Sequence, residues 1–181
     1  MKALTAFSAI AVLLFLAGCS DKMDSPVAPQ QEQAVQKQTV PALSKKHEVP
    51  FQTTYEAVGQ LTPTSLTSAH AVVNGSGNAT HVGYYTSISE DDIQYTSATS
   101  GIIANGTHTT YAASGDEMYA TFTGTFTIEN GIVTNTITFI FDGGTGRFAD
   151  LYGELQAVIT TDDVGQLTQK LSGSGSGRIT Y

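Results

Sequence analysis

The feature that most constrains the fold of this chain is a stretch in which apolar and hydroxyl side chains alternate. It is "EMYATFTGTFTIENGIVTNTITFIFD", residues 117–142. Because side chains alternate between the two faces of a β-strand, a period of two predicts strands with one apolar face. Asn130-Gly131 in the middle is a strong signal for a short hairpin turn. The apolar faces comprise Met118, Ala120, Phe122, Gly124, Phe126 and Ile128 before the turn, and Val133, Ile137, Phe139 and Phe141 after it.

The same pattern predicts six further strands, which makes eight in all. We place them at about 48–58, 68–76, 79–89, 106–113, 150–161 and 166–180. Short turns such as "SGD" (114–116) and "DDVG" (162–165) link most of them, since Gly, Asp and Ser tolerate unusual backbone angles. Consecutive strands on short turns form a meander, and closing the meander removes its exposed edges. We therefore predict an all-β domain over residues 47–181, an eight-stranded antiparallel up-and-down β-barrel.

The last strand, "KLSGSGSGRITY", favours closure. Gly173, Gly175 and Gly177 share one face with Leu171 and Ile179, so three successive inward positions lack a side chain. Such glycines suit a coiled strand or the close approach of bulky neighbours. We expect the phenylalanines of the 118–141 hairpin to fill the space above them.

The chain begins with a targeting segment. Residues 1–18, "MKALTAFSAIAVLLFLAG", combine a basic start with an apolar run too short for a retained membrane helix, which predicts a secretory signal peptide. "LAGC" ends at Cys19, the single cysteine, and resembles the lipobox of bacterial lipoproteins. The resemblance implies cleavage before Cys19 and its acylation, palmitate being a typical chain; the alternative is a buried core thiol. Two or three acyl chains anchor a protein stably.

Lipidation would place the protein in the bacterial cell envelope. Ser20, directly after the cysteine, favours the outer membrane over the inner one. The periplasmic face and the cell surface both remain open. Residues 19–46 are rich in Gln and Pro and lack aromatic residues, which predicts a disordered tether.

Charge excludes two classes of partner. After His47 the only lysines and arginines are Arg147, Lys170 and Arg178, so the domain is acidic. Nucleic acid and anionic headgroups require a cationic surface and are therefore not expected partners.

A glycine-rich stretch, "FDGGTGRFADLYGE" (141–154), has no helix after it and therefore does not predict an anion-binding loop. Gly143, Gly144 and Gly146 instead predict a tight corner between a strand ending at Asp142 and one starting near Asp150.

"GGTGRFADLYG" resembles the Gly-Gly-Thr/Ser-Gly-x-Phe stretch, followed by Tyr-Gly, of the allene oxide cyclase and dirigent barrel families. "GNATHVG" (77–83) and "YAASGDEMYATFTGT" (111–125) are similar to segments of small bacterial proteins built on that barrel. The resemblance implies a largely apolar cavity, a homotrimer, and Phe148 and Gly153 as further corner residues. The functional acids of those families do not align with this chain, so catalytic residues are unidentified.

Other candidate sites are weak. Arg147 either clamps a ligand carboxylate at the cavity mouth or forms a structural ion pair with Asp142 or Asp150. His70, His81 and His108 show no metal-ligand spacing. We interpret "EDD" (90–92) and "DD" (162–163) as solvated acidic turns, because neither matches a calcium loop. No metal or other cofactor is predicted.

Three functions fit these observations. The first is the binding of a small apolar or amphipathic ligand in the barrel cavity. The second is an isomerase, cyclase or dirigent-like enzyme, which needs titratable residues with shifted pKa values in the lumen. The third is a module that binds glycan or protein through its Thr- and Tyr-rich outer face.

Overall fold

A computed structural model describes residues 47–181, which form a closed antiparallel β-barrel. Each strand pairs with the next, and the last pairs with the first. This confirms the predicted fold class. The signal peptide (1–18), Cys19 and the tether (19–46) lie outside the described residues. The strands are β1 (Val49–Pro63), β2 (Ser68–Ala79), β3 (Gly83–Ser97), β4 (Ser100–Ala112), β5 (Glu117–Glu129), β6 (Ile132–Gly144), β7 (Tyr152–Thr161) and β8 (Thr168–Thr180).

The sheet is complete within one compact unit, Leu43–Tyr181. Every strand has a partner on both sides, so the barrel needs no strand from another part of the chain. The predicted alternation appears as alternating burial, for example along β5, whose phenylalanines Phe122 and Phe126 are buried. In the described part of the chain, no helix is long and apolar enough to cross a membrane.

The predicted strand limits are wrong in the region of residues 90–105. β3 continues to Ser97 and β4 begins at Ser100, where a long connection was expected. Residues 90–92 are consequently not a solvated turn: Asp91 lies in β3 opposite Ala71 of β2 and is only 8% exposed. Polar residues concealed the alternation here, because the inner face of β3 carries Ser87, Ser89 and Asp91. β4 also contains a register shift between Ile103 and Gly106.

Inward glycines accommodate aromatic rings from neighbouring strands. Gly106 and Gly101 of β4 lie opposite Phe122 and Phe126 of β5, and a Cβ at Gly106 would lie 2.5 Å from the Phe122 ring. The β5–β6 phenylalanines therefore fill the space above the glycines of β4 and not, as expected, those of β8. A Cβ at Gly177 of β8 would instead approach the β7 backbone, 2.7 Å from the Cα of Leu155.

One end of the barrel, which we call the sealed end, is covered by the connection between β6 and β7. A short 3-10 turn, Gly146–Phe148, inserts Phe148 so that it is fully buried. Gly146 has a φ of 54°, a left-handed conformation that favours glycine. Gly143 and Gly144 end β6, and Gly153 lies near the start of β7, so the glycines lie where the chain reverses. The opposite end, which we call the mouth, carries the connections 64–67, 98–99, 130–131 and 162–167.

Candidate functional site in the barrel lumen

Two small spaces remain inside the barrel. The inner cavity, on the side of the sealed end, has a volume of about 40 Å³. The mouth cavity has a volume of about 70 Å³, and its lining includes Leu61 and Gln169 near the mouth ends of β1 and β8. Tyr55, Phe139 and Ile159 line both spaces and separate them. The lumen is thus mostly, but not completely, filled by side chains.

The inner cavity is largely apolar. Phe51 and Phe141 pack edge to face with ring centroids 5.6 Å apart, and Leu155 and Ala157 complete much of the wall. The mouth cavity also has polar groups among its apolar residues, including a carboxylate. They are Tyr55, Ser89, Asp91, Asn135 and Gln169.

A buried histidine connects polar side chains of β3 and β4 inside the lumen. His108 of β4 contacts Ser89 of β3 through Nδ1 (2.7 Å to Oγ) and Thr110 through Nε2 (2.9 Å to Oγ1). Burial lowers the pKa of His108 to about 4, so the imidazole is neutral at neutral pH. A neutral ring has one nitrogen that donates and one that accepts, and the two hydroxyls can serve both.

Two tyrosines lie across the lumen above glycines. A Cβ at Gly75 would overlap the Tyr55 ring, and a Cβ at Gly77 would lie 2.7 Å from the Tyr85 hydroxyl, so the rings require these glycines. The Tyr85 hydroxyl donates to the Thr54 carbonyl at 3.2 Å. Burial raises the pKa of Tyr55 to about 12, partly opposed by the nearby hydroxyl of Ser87. The phenol of Tyr55 is therefore protonated at any physiological pH.

Two polar groups in this region lack ordinary partners. Ser87 Oγ is fully buried and makes no hydrogen bond of standard geometry within residues 47–181. Asp91 is 8% exposed, and no hydrogen bond from residues 47–181 reaches its carboxylate. Burial raises the pKa of Asp91 to about 6, while the nearby His70 acts in the opposite direction. Thr180 Oγ1, in the last residue of β8, is also buried without a hydrogen-bond partner among the described residues. Buried polar groups normally have partners, and of these three exceptions only Asp91 lines a lumen cavity, which makes the mouth cavity the candidate functional region.

The residue predicted to bind ligand lies elsewhere. Arg147 is at the sealed end, with Nε 3.5 Å from Asp116 Oδ2 and its guanidinium carbon 4.6 Å from the centroid of the Phe148 ring. It lines neither lumen cavity. The geometry favours the structural alternative, with Asp116 of the β4–β5 turn as a partner, and ligand binding by Arg147 stays a prediction.

The three candidate histidines, His70, His81 and His108, are separated. His70 lies on β2 with Nδ1 3.1 Å from Asp92 Oδ1, His81 lies in the β2–β3 turn, and His108 is in the lumen. Among residues 47–181, no three His, Cys, Asp or Glu side chains are grouped as metal ligands would be.

Sequence reasoning missed the polar lumen residues. Extending the period of two through "YYTSISEDD" would have placed Tyr85, Ser87, Ser89 and Asp91 on one face. His108 could not have been singled out, because its burial depends on pairing with Ser89 across strands.

Larger depressions lie outside the lumen along β8. Two of them have volumes of about 930 and 860 Å³, and Ser172, Ser174 and Ser176 contribute to their floors. They arise where small β8 side chains lie between longer neighbours. Their linings contain neither a buried carboxylate nor a buried histidine, which distinguishes them from the lumen.

Comparison with models of known protein families gives no match for this chain, and no curated protein matches it significantly. The assignment of a function therefore rests on the chemistry of the lumen.

Proposed function

We propose that this protein is an exported bacterial lipoprotein, anchored to the outer membrane through lipid on Cys19, whose barrel binds a small apolar or amphipathic molecule in its lumen. The anchor is inferred from the sequence "LAGC" and the signal-like residues before it. The binding function is inferred from the lumen.

One observation supports the binding function most strongly: the lumen retains an unpartnered carboxylate beside unfilled space. Asp91 lines the mouth cavity, is 8% exposed and accepts no hydrogen bond from residues 47–181. Leaving such a group unsatisfied costs about 1–3 kcal/mol. A barrel selected only for stability would replace Asp91 by an apolar residue, whereas a ligand that pairs with the carboxylate explains its presence.

The volumes limit the ligand. Typical ligand pockets measure roughly 300–1,000 Å³, several times more than either cavity here. The ligand is therefore small, or it joins the two cavities by displacing Tyr55, which lines both. A change of the Tyr55 rotamer is the smallest rearrangement that connects them.

Native mass spectrometry of protein purified gently from its own host tests this function. We expect a bound mass in the wild type that is lost in Ala71→Leu, because the larger side chain fills the mouth cavity. Ser172→Leu adds the same side chain on the exposed outer face and serves as the matched control. Wild-type protein without bound mass, and without binding after incubation with host lipid extract, would contradict the proposal.

A second candidate function, acid–base catalysis of an isomerase or cyclase type, has its own supporting observation. The lumen contains a carboxyl with a pKa raised to about 6, Asp91, near the Tyr55 phenol, and a buried imidazole, His108, that lines the other cavity. Groups with shifted pKa values often cluster at catalytic sites. A carboxyl titrating near neutrality can both accept and release a proton.

Incubation with host metabolite extract distinguishes catalysis from simple binding. Conversion of a metabolite by the wild type and by Asp92→Asn, but not by Asp91→Asn, would support catalysis. Asp92 is the adjacent outward carboxylate and provides the control. If the extracts are unchanged and a ligand is bound stoichiometrically, ligand binding without catalysis is the remaining function.

A further inference from the structure

Besides the Tyr55 and Ser89 hydroxyls, the polar groups of the mouth cavity belong to Asp91, Asn135 and Gln169, which present mainly hydrogen-bond acceptors. The amide nitrogen of Asn135 donates to the Ile159 carbonyl at 3.2 Å. The amide nitrogen of Gln169 lies 3.4 Å from the carbonyls of Asp163 and Gln166. Both amide nitrogens of this pair are oriented toward the backbone, Gln169 with both of its N–H groups and Asn135 with one, so the side-chain oxygens are the main groups that the two residues offer a ligand. The Asp91 carboxylate adds two further acceptor oxygens.

Most of the charged side chains near the mouth are carboxylates. Glu129 ends β5, and Asp162 and Asp163 form part of the β7–β8 connection. Lys170 of β8 is exposed on the outer face, and His70 lies on the outward face of β2 beside Asp92. A cleft edged by carboxylates attracts cations and raises their local concentration.

The residues that line the mouth cavity suit an organic cation better than a metal ion. Calcium requires six to eight oxygen ligands, and magnesium requires octahedral oxygen ligands. The mouth cavity offers a single carboxylate, and apolar Ile93, Ile103 and Phe122 form much of the remaining wall. An alkylammonium group has three donors and an apolar body, which matches several acceptors beside an apolar wall.

We infer that the mouth cavity binds the ammonium head of a small amphipathic amine, with Asp91 as its counter-ion and the side-chain oxygens of Asn135 and Gln169 as further acceptors. This inference rests on the proposed ligand-binding function and names the class of ligand. The alkyl part of the amine packs against Ile103 and Phe122. The space of about 70 Å³ is small, so it holds the ammonium head and the first carbons, and the rest of the chain extends through the mouth.

Calorimetric titration of the unit Leu43–Tyr181 tests the inference with three probes of equal chain length. They are hexylammonium, hexanol and hexanoate, which are positive, neutral and negative at pH 8. At this pH Asp91 is ionised, since its pKa is about 6. Asp91→Asn replaces the carboxylate by an amide of the same shape. Asp92→Asn removes an equal charge one position away, on the outer face, and is the matched control.

We expect hexylammonium to bind the wild type and Asp92→Asn alike, and Asp91→Asn to bind it at least about tenfold more weakly, since the ammonium loses its buried partner. Hexanoate should not bind measurably. Circular dichroism and thermal melting establish that both variants are folded.

Equal hexylammonium binding by Asp91→Asn would overturn the inference, because attraction by the acidic surface alone would then explain it. Hexanol or hexanoate binding as tightly as the amine would also overturn it, while leaving a ligand-binding lumen in place. If the wild type binds none of the three probes, the amine class is wrong. The host-purified ligand then decides the wider function: a bound mass without an amine retains the proposed function, and its absence removes that function as well.

Discussion

At the scale of single residues, adjacent carboxylates of β3 have opposite properties. Asp91 points into the lumen, and burial raises its pKa. Asp92 points outward, and hydrogen bonds from Asn105 and His70 lower its pKa. Two identical residues in sequence therefore differ because strand register assigns one to each face.

Two buried groups, Asp91 and His108, should have opposing effects on how stability changes with pH. The pKa of His108 is about 4 in the folded state and near 6.5 when unfolded. The unfolded state therefore takes up a proton first, and the free energy of unfolding decreases as pH falls from 6.5 to 4. Asp91 titrates at about 6 when folded and near 3.8 when unfolded, so folding is favoured as pH falls from 6 to 4. Each effect amounts to about 3 kcal/mol, and the two nearly cancel.

Replacing one of these two groups should reveal the pH effect of the other. Relative to the wild type, Asp91→Asn should lose unfolding free energy between pH 7 and 4, and His108→Gln should gain it. Urea unfolding at both pH values measures the change. Parallel pH profiles for the wild type and both variants would contradict the assigned burial of these groups.

Two glycines of β8 provide a second test at this scale. A Cβ at Gly177 would collide with the Glu154 carbonyl of β7, which is backbone and cannot move aside. A Cβ at Gly175 would have more room, since its nearest neighbours are the Gln156 carbonyl oxygen at 3.0 Å and side-chain atoms of Ala157 and Leu155 at 3.1 Å. Gly177→Ala should therefore reduce the free energy of unfolding by about 1–3 kcal/mol more than Gly175→Ala. Equal losses of unfolding free energy in denaturant titration would contradict this expectation, because they would show that the β7 backbone shifts at both positions.

At the scale of elements, the β6–β7 connection closes one end of the barrel. Phe148 is fully buried, and its ring centroid lies 5.5 Å from that of Tyr181. The Arg147–Asp116 ion pair holds the same corner from outside, with the Arg147 side chain 44% exposed. Burial of the ring, more than the surface ion pair, should stabilise this element.

The two contributions can be separated by substitution. Phe148→Ala should lower the free energy of unfolding by about 3–5 kcal/mol, because it removes a large core side chain. Asp116→Asn should change it by less than about 1 kcal/mol, as expected for an exposed pair. Thermal and chemical unfolding measure both. A larger loss for Asp116→Asn than for Phe148→Ala would contradict this assignment.

The sequence predicted strands where apolar residues marked the period, as in residues 117–142. It failed near Asp91, since polar inward residues hide the alternation, and near Asn105, whose φ of 53° accompanies the register shift in β4. The lumen site was not predictable for a related reason: Tyr55, Ser89 and His108 meet only through the pairing of separate strands. Local sequence patterns specify which side chains share one face of a strand, but not which strands bring their faces together in the fold.

At the scale of the whole molecule, β8 completes the barrel by pairing with both β7 and β1. Truncation after Gln166 should leave β1 and β7 with unpaired edges that favour association between chains. Size-exclusion chromatography should show aggregates or loss of soluble protein. Removing residues before His47 affects no pairing of the barrel and is the control. A truncated chain with the hydrodynamic size and circular dichroism of the intact barrel would contradict the requirement for closure.

The pairing of Val49 with Ile179 brings both ends of the described chain together at the sealed end. In topological terms the sheet is a ring, and no strand is intrinsically the first. A circular permutant that joins residues 47 and 181 through a short linker and opens at Asn130-Gly131 would keep the eight strand pairings, while the β1–β8 pairing would become a local hairpin. Its new termini would project beside the mouth, so a fluorophore attached there would report directly on molecules entering the lumen.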